Sequence, residues 1–190
     1  RDAASRRWLL IGAIGVVVYP LAFYSSMDLA GVAIGNVVSL GTGPVFAALL
    51  EWIVERRGLS RLWLICTAGA ILGVVLLALA GHPGRDSSNE SVVLGVALGL
   101  AAGFAYALYT YASSRAIRLG NAPRGVMGGM FGLGAIALVP VLALTGGPLL
   151  QSPLTIGISA YLALGPMFLA YVLFGMGMRT LRSSTATTIT

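Results

Sequence analysis

The sequence has no lysine, one cysteine and one histidine, and charged residues make up only 9% of its 190 positions. Each shortage excludes something. A soluble domain carries about a quarter of its residues as charges, so this chain has too little polar surface to cover a water-soluble globule. Cys66 has no partner for an intrachain disulfide and reads as a small buried hydrophobe. The single histidine, His82, falls in a linker, and no His or Cys cluster has metal-ligand spacing. No Ser–His–acid set is present, and the carboxylates lie in linkers or at the ends of apolar runs. These features point to no catalytic residues, no metal and no cofactor, and the chain does not read as an enzyme.

What remains is hydrophobic: 57% of residues, with a mean hydropathy of +0.91. Uncharged runs cover Trp8–Tyr24, Leu29–Leu50, Leu62–Ala80, Val92–Ala112, Val126–Thr145 and Gly157–Met178, each 17 to 22 residues long. A helix crosses a bilayer in roughly 20 residues. Alternating segments of about 10 residues, the mark of an outer-membrane barrel, do not occur. The class is an all-α, polytopic membrane helix bundle with about six complete spans. "SSTATTIT" at the end reads as the start of a seventh, and the absence of an initial Met fits a piece of a longer protein. The first run lacks a small-residue cleavage site and resembles a span rather than a signal peptide.

Arginine orients the chain. Taking the linkers alternately places eleven arginines on one side and Arg85 alone on the other. The positive-inside rule puts the Arg-rich side in the cytoplasm, and one missed span would scramble the pattern. The +6 charge is therefore topological. The arginines form no stripe and no nucleic-acid motif accompanies them, so nucleic acid is not an expected partner. Trp8, Trp52 and Trp63 fall at the same ends, where their rings suit the headgroup level.

The runs contain no Asp, Glu, Lys, Arg or His in their interiors, which argues against a pump-like carboxylate in this portion. Asp28 and Glu51 sit at span ends and read as interfacial charges, with a gate or substrate contact as the alternative. Ser91, Gly95, Gly99, Gly103 and Ala107 form a strict i+4 stripe, and Gly69/Gly73 and Gly128/Gly132 repeat the device. Such stripes let helices approach closely; the alternative is room for a ligand.

The second run is the most polar. Asn36, Ser39 and Gly43 share a helix face, Thr42 lies beside them, and Pro44 frees the Leu40 carbonyl and permits a kink. Polar groups at membrane depth are tolerated when buried in protein or lining a watery cavity, and composition leaves those two readings evenly balanced. Tyr19, Pro20 and Tyr24 in the first run and Tyr161, Pro166 and Tyr171 in the sixth are similar features, with Tyr106 and Tyr109 in the fourth. They read as packed or interfacial rings, or as the lining of a path for a small zwitterion or aromatic solute.

"FYSSM" (Phe23–Met27) and "FGMGM" (Phe174–Met178) share F-x-x-x-M five spans apart, and an odd-numbered repeat must be inverted. The stretch from Ala22 to Leu77 resembles the EamA domain of drug/metabolite transporters. It has a short turn, a small-residue helix with Ser39 and Pro44, then Glu55-Arg56, Leu59-Ser60, and a helix punctuated by Gly69 and Gly73. "GLAAGFAYALYTYASSRAIRLG" and the segment from Tyr161 to Thr190 are similar to the start and middle of a second copy.

The resemblance implies two inverted five-span repeats. Residues 1–81 would hold the last three spans of the first, and residues 82–190 the first three spans and the start of the fourth of the second. It further implies export or exchange of small metabolites, such as amino acids, across a bacterial inner membrane by alternating access. Tyr19, Tyr24, Asn36, Ser39, Thr42, Gly43, Pro44, Tyr161 and Tyr171 are then candidates to line the substrate cavity, and Ser183–Thr190 to join them. The partners expected are the lipid bilayer and a small-molecule metabolite, and a homo-oligomer is compatible with the sequence. The competing readings are a membrane-embedded scaffold or enzyme subunit, and a nucleotide-sugar carrier of the same superfamily, for which no span offers the cationic residue wanted.

Overall fold

The computed structural model describes residues 2–56, 65, 67–69, 71–73, 76, 89–178 and 182–189. Among them there is no strand, and five helices are long and apolar enough to cross a membrane. The third apolar run, with Cys66, Trp63 and the His82 linker, lies largely outside the described residues; those described within it are helical.

Helix α1 (Asp2–Ala30) and helix α2 (Val32–Glu55) form a hairpin. The sequence places the turn at "SSMD", but α1 runs through it and the chain reverses at Gly31. The reason is a tertiary contact together with a glycine. Ser26 donates its hydroxyl to the Gly95 carbonyl (2.7 Å), so the serine belongs inside the bundle. Gly31 takes the positive φ of 87° that the reversal needs. Helix α2 passes through Pro44 and stops where Arg56 adopts a left-handed conformation, φ 53°.

Helix α3 (Asn89–Arg118) is the centre of the bundle. After a turn at Gly120 (φ 96°), Pro123 opens helix α4 (Pro123–Thr145) at a position where its missing N–H costs nothing. A 3₁₀ turn, Gly147–Leu150, leads to helix α5 (Pro153–Gly177). Ser152 and Thr155 close its start with a reciprocal capping box of 3.1 and 3.2 Å bonds. Around Pro166 the helix widens to a π-turn over Ala163–Leu169, a common way to absorb a proline inside a long helix. A short helix, α6 (Ser183–Ile189), follows.

The glycine stripe of α3 sets the packing. A Cβ on Gly95 would stand 2.7 Å from the Ala30 nitrogen, and one on Gly99 would stand 2.9 Å from both Ser26 Oγ and Val38 Cγ1. On Gly103 it would meet the Thr42 hydroxyl and the Ser39 carbonyl. Only hydrogen fits, so α1 and α2 close directly onto α3, as the close-packing reading of the stripe expects. Gly128 and Gly132 differ: a Cβ there meets nothing within 4 Å among the described residues.

The same contacts fix direction. Ala30 meets Gly95 while Trp8 meets Tyr111, so α1 and α3 are antiparallel. Val38 meets Gly99 and Glu55 meets Tyr111, so α2 and α3 are parallel. The packing thus sets α2 and α3 running in one direction and α1 against them. It also brings Arg6, Arg7, Arg56, Arg115, Arg118, Arg124 and Arg182 to one end of the bundle, as the alternation of linkers predicts.

Candidate functional site

Two features stand out below the glycine stripe: an aromatic seam and, toward the Arg-rich end, a network around two glutamates. The seam forms because tyrosines from three helices converge. Tyr106 and Tyr109 on α3 lie with ring centroids 5.4 Å apart, and Tyr19 of α1 stands 5.6 and 6.2 Å from them. Tyr171 of α5 completes the group. Its hydroxyl is 3.0 Å from that of Tyr109, and its ring packs 4.5 Å from Phe131 of α4. Tyr109 is fully buried. Gly15 makes this convergence possible, because a Cβ there would lie 2.8 Å from the Ala105 carbonyl and 3.0 Å from Tyr109 Cβ.

Helix α2 adds a polar strip to one side. Gly43 rests on the Tyr106 ring, with room for no side chain (2.8 Å to Cδ1). Next to it in sequence, Thr42 donates to the Val38 carbonyl one turn back, at 2.7 Å. Ser39 is wholly buried, and its hydroxyl has no hydrogen-bond partner among the described residues. A buried hydroxyl without a partner costs about 1–3 kcal/mol relative to a satisfied one, so its presence asks for a reason.

Of the nine residues singled out from the sequence, the structure brings five together: Tyr19, Tyr171, Ser39, Thr42 and Gly43 meet around Tyr106, Tyr109 and Gly103. Pro44 is half-buried next to them. Asn36 is exposed, two turns from the seam, and Tyr161 is 69% exposed on α5. Tyr24 is 63% exposed at the edge of the seam, against Phe23, which stacks on Tyr19 at 5.4 Å. The central pair, Tyr106 and Tyr109, carried only a general signal in the sequence, an i+3 spacing of tyrosines at the end of the glycine stripe.

The glutamate network lies toward the Arg-rich end. Glu55 receives the Tyr111 hydroxyl at 3.3 Å and pairs with Arg115 and Arg118, each at 3.5 Å. Arg115 also covers the Trp8 ring, 5.7 Å from its centroid, and Trp8 meets Tyr111 edge-on. Trp8 thus packs into the bundle, whereas Trp52 is exposed. Glu51, one turn deeper, is buried and accepts three hydrogen bonds from Ser183 and Ser184 of α6. Chemically the seam offers hydroxyls and ring faces with no formal charge, while the charges are gathered at one end. Among the described residues no group of His, Cys, Asp and Glu is placed to hold a metal.

Buried hydroxyls and clustered tyrosines inside a bundle of bilayer-length helices define a polytopic membrane protein with a polar interior. The profile of the EamA-like transporter family matches residues 93–190. A Bacillus subtilis (strain 168) protein named as an uncharacterized transporter, YwfM, is 31% identical over 194 residues, which cover 100% of this chain and 63% of the relative. The chain belongs to the EamA-like transporter family. It spans 63% of the length of the curated relative it matches. No solved structure matches it.

Proposed function

We propose that the full-length protein is a secondary transporter that exports or exchanges small metabolites, such as amino acids, by alternating access across a bacterial inner membrane. Its Arg-rich linkers face the cytoplasm. The chain supplies parts of two inverted halves, residues 1–81 and 82–190, and the substrate passes between them.

One observation carries this reading: the tyrosine seam, where α1 from the first half meets α3 and α5 from the second with hydroxyls in contact (Tyr109 to Tyr171, 3.0 Å). Lipid-facing or purely packing surfaces do better with Leu, Phe and Gly, because every buried hydroxyl needs a partner. Hydroxyls that pair with each other across a seam can instead exchange partners with a polar solute when the helices move apart. The unpartnered Ser39 hydroxyl supports the same placement, on the α2 side of the seam. With ring faces and hydroxyls but no cation, the seam suits a small zwitterion or neutral solute better than a phosphorylated one.

The test is metabolite release from cells overproducing the full-length protein. Elevated efflux of one or a few amino acids, abolished by Tyr109→Ala at equal membrane levels, is the expected result. Efflux equal to that of vector controls over a broad metabolite panel rejects the proposal.

A further inference from the structure

Glu51 is the deepest carboxylate of α2, and its partners are unusual. Ser183 donates its hydroxyl to Oε1 at 2.6 Å, the Ser184 backbone N–H donates to the same oxygen at 3.1 Å, and the Ser184 hydroxyl donates to Oε2 at 3.0 Å. Glu51 is 8% exposed and Ser183 1%. The contact joins residues 132 positions apart, from helices assigned above to opposite halves. Arg115 and Arg118 meet Glu55, one turn further out.

We infer that Glu51 is the latch of the gate at the Arg-rich mouth: its carboxylate holds α6 against α2, and the mouth opens when these three bonds release. The inference rests on the alternating-access reading above. Three features distinguish the contact from ordinary packing. First, it gathers three hydrogen bonds on one carboxylate, whereas the glycine contacts of α3 with α1 and α2 are close steric approaches to backbone and side-chain atoms. An interface that must separate and re-form is better closed by hydrogen bonds that water can replace than by a dry, interlocked seam.

Second, a helix start is usually capped by a short polar residue from its own chain neighbourhood. Here the acceptor comes from another helix, so docking α6 and capping it are one event. Third, a carboxylate gives charge-assisted bonds, stronger and shorter than those of a neutral acceptor. Glu51 on α2 and the two serines on α6 thus form a connection strong enough to set the resting state yet made of only three bonds.

The experiment reads accessibility beneath the latch and requires no substrate. In the full-length protein with Cys66→Ser, Ala48→Cys places a thiol on α2 one turn deeper than Glu51, at a position now 2% exposed. An impermeant maleimide is applied to inside-out membrane vesicles. Glu51→Gln, which keeps the side-chain shape, is expected to raise the labelling rate about tenfold. Ser183→Ala/Ser184→Ala, which leaves Glu51 in place, is expected to do the same, and Trp52→Ala, an exposed neighbour, is not. Unchanged labelling in both latch variants, at wild-type membrane levels, overturns the latch even if efflux is intact. A rise in both supports it even if the efflux panel is negative, so the two proposals fail separately.

Discussion

The two halves of helix α3 solve opposite problems. From Gly95 to Gly103 it offers bare backbone, and α1 and α2 lie directly on it. From Tyr106 to Tyr111 it offers large rings with hydroxyls, which meet partners on α1, α2, and α5. Inside a bilayer no hydrophobic force favours helix against helix over helix against lipid, so association relies on close van der Waals contact and interhelical hydrogen bonds. The glycine half relies mainly on the first, with one hydrogen bond from Ser26 to the Gly95 carbonyl, and the tyrosine half on the second. The glycine half has little choice of geometry, because any shift parts backbones in contact. The tyrosine half is held by a few exchangeable bonds, and there a moving part can be accommodated.

This contrast is broken most severely by filling the glycine half. Gly99→Leu has to displace both Ser26 and Val38. Overpacking of this kind costs about 3 kcal/mol, so the full-length protein should lose most of its folded yield and melt at a clearly lower temperature in detergent. Gly132→Leu is the matched control, because its site is open among the described residues. Its melting temperature should stay at the wild-type value. Equal damage at both positions would mean that the stripe on α3 has no special place in the packing.

A smaller effect is expected in the tyrosine half. Tyr171→Phe leaves the buried Tyr109 hydroxyl without its 3.0 Å partner, which costs about 2 kcal/mol when the orphaned group stays buried. Removing both hydroxyls, Tyr109→Phe/Tyr171→Phe, should restore much of that stability, because replacing both partners by apolar groups is close to neutral. If the seam conducts solute, the double variant recovers stability but not efflux. A double variant as active as wild type would reduce the seam to packing.

Smaller still is Ser39→Ala. Among the described residues the hydroxyl has no partner to lose, so stability should hold or rise by about 1 kcal/mol as a buried unpaired hydroxyl is removed, while efflux falls severalfold. A large loss of stability would show that Ser39 is bonded in the protein and would remove it from the cavity wall.

The spans were legible because charge is so scarce that every linker announces itself. Five of the six uncharged runs fall on the five bilayer-length helices among the described residues. Arginine alone anticipated which of the described helix ends gather at one end of the bundle. The faces were not legible. A span apolar on every side has no moment to tell which side meets protein, so Tyr19 and Tyr24, five residues apart in one helix, looked equivalent. Only the close approach of α3 at Gly15 separates them, drawing Tyr19 under Tyr109 and leaving Tyr24 outside. Tyr161 and Tyr171 divide in the same way across the π-turn at Pro166. Glu51 illustrates a related limit. Its sequence neighbours make it an end-of-helix charge, and its partners lie more than a hundred residues away.

The finest distinction is between Asn36 and Ser39, which share a helical face in projection but not a surrounding. Asn36 is exposed and Ser39 is buried against the Gly103 backbone. Single cysteines at these two positions in full-length protein carrying Cys66→Ser therefore make the most sensitive probe of what fills the α2 side of the seam. If water reaches the seam from the Arg-poor side, a small polar thiol reagent should label position 39 faster than a lipid-facing control such as Ile53, by about tenfold, although position 39 is the more buried. Substrate at saturating concentration should then protect position 39 and leave position 36 unchanged. Labelling at 39 no faster than at 53 would make Ser39 a packing residue, and the tyrosines would be left as the sole wall of the path.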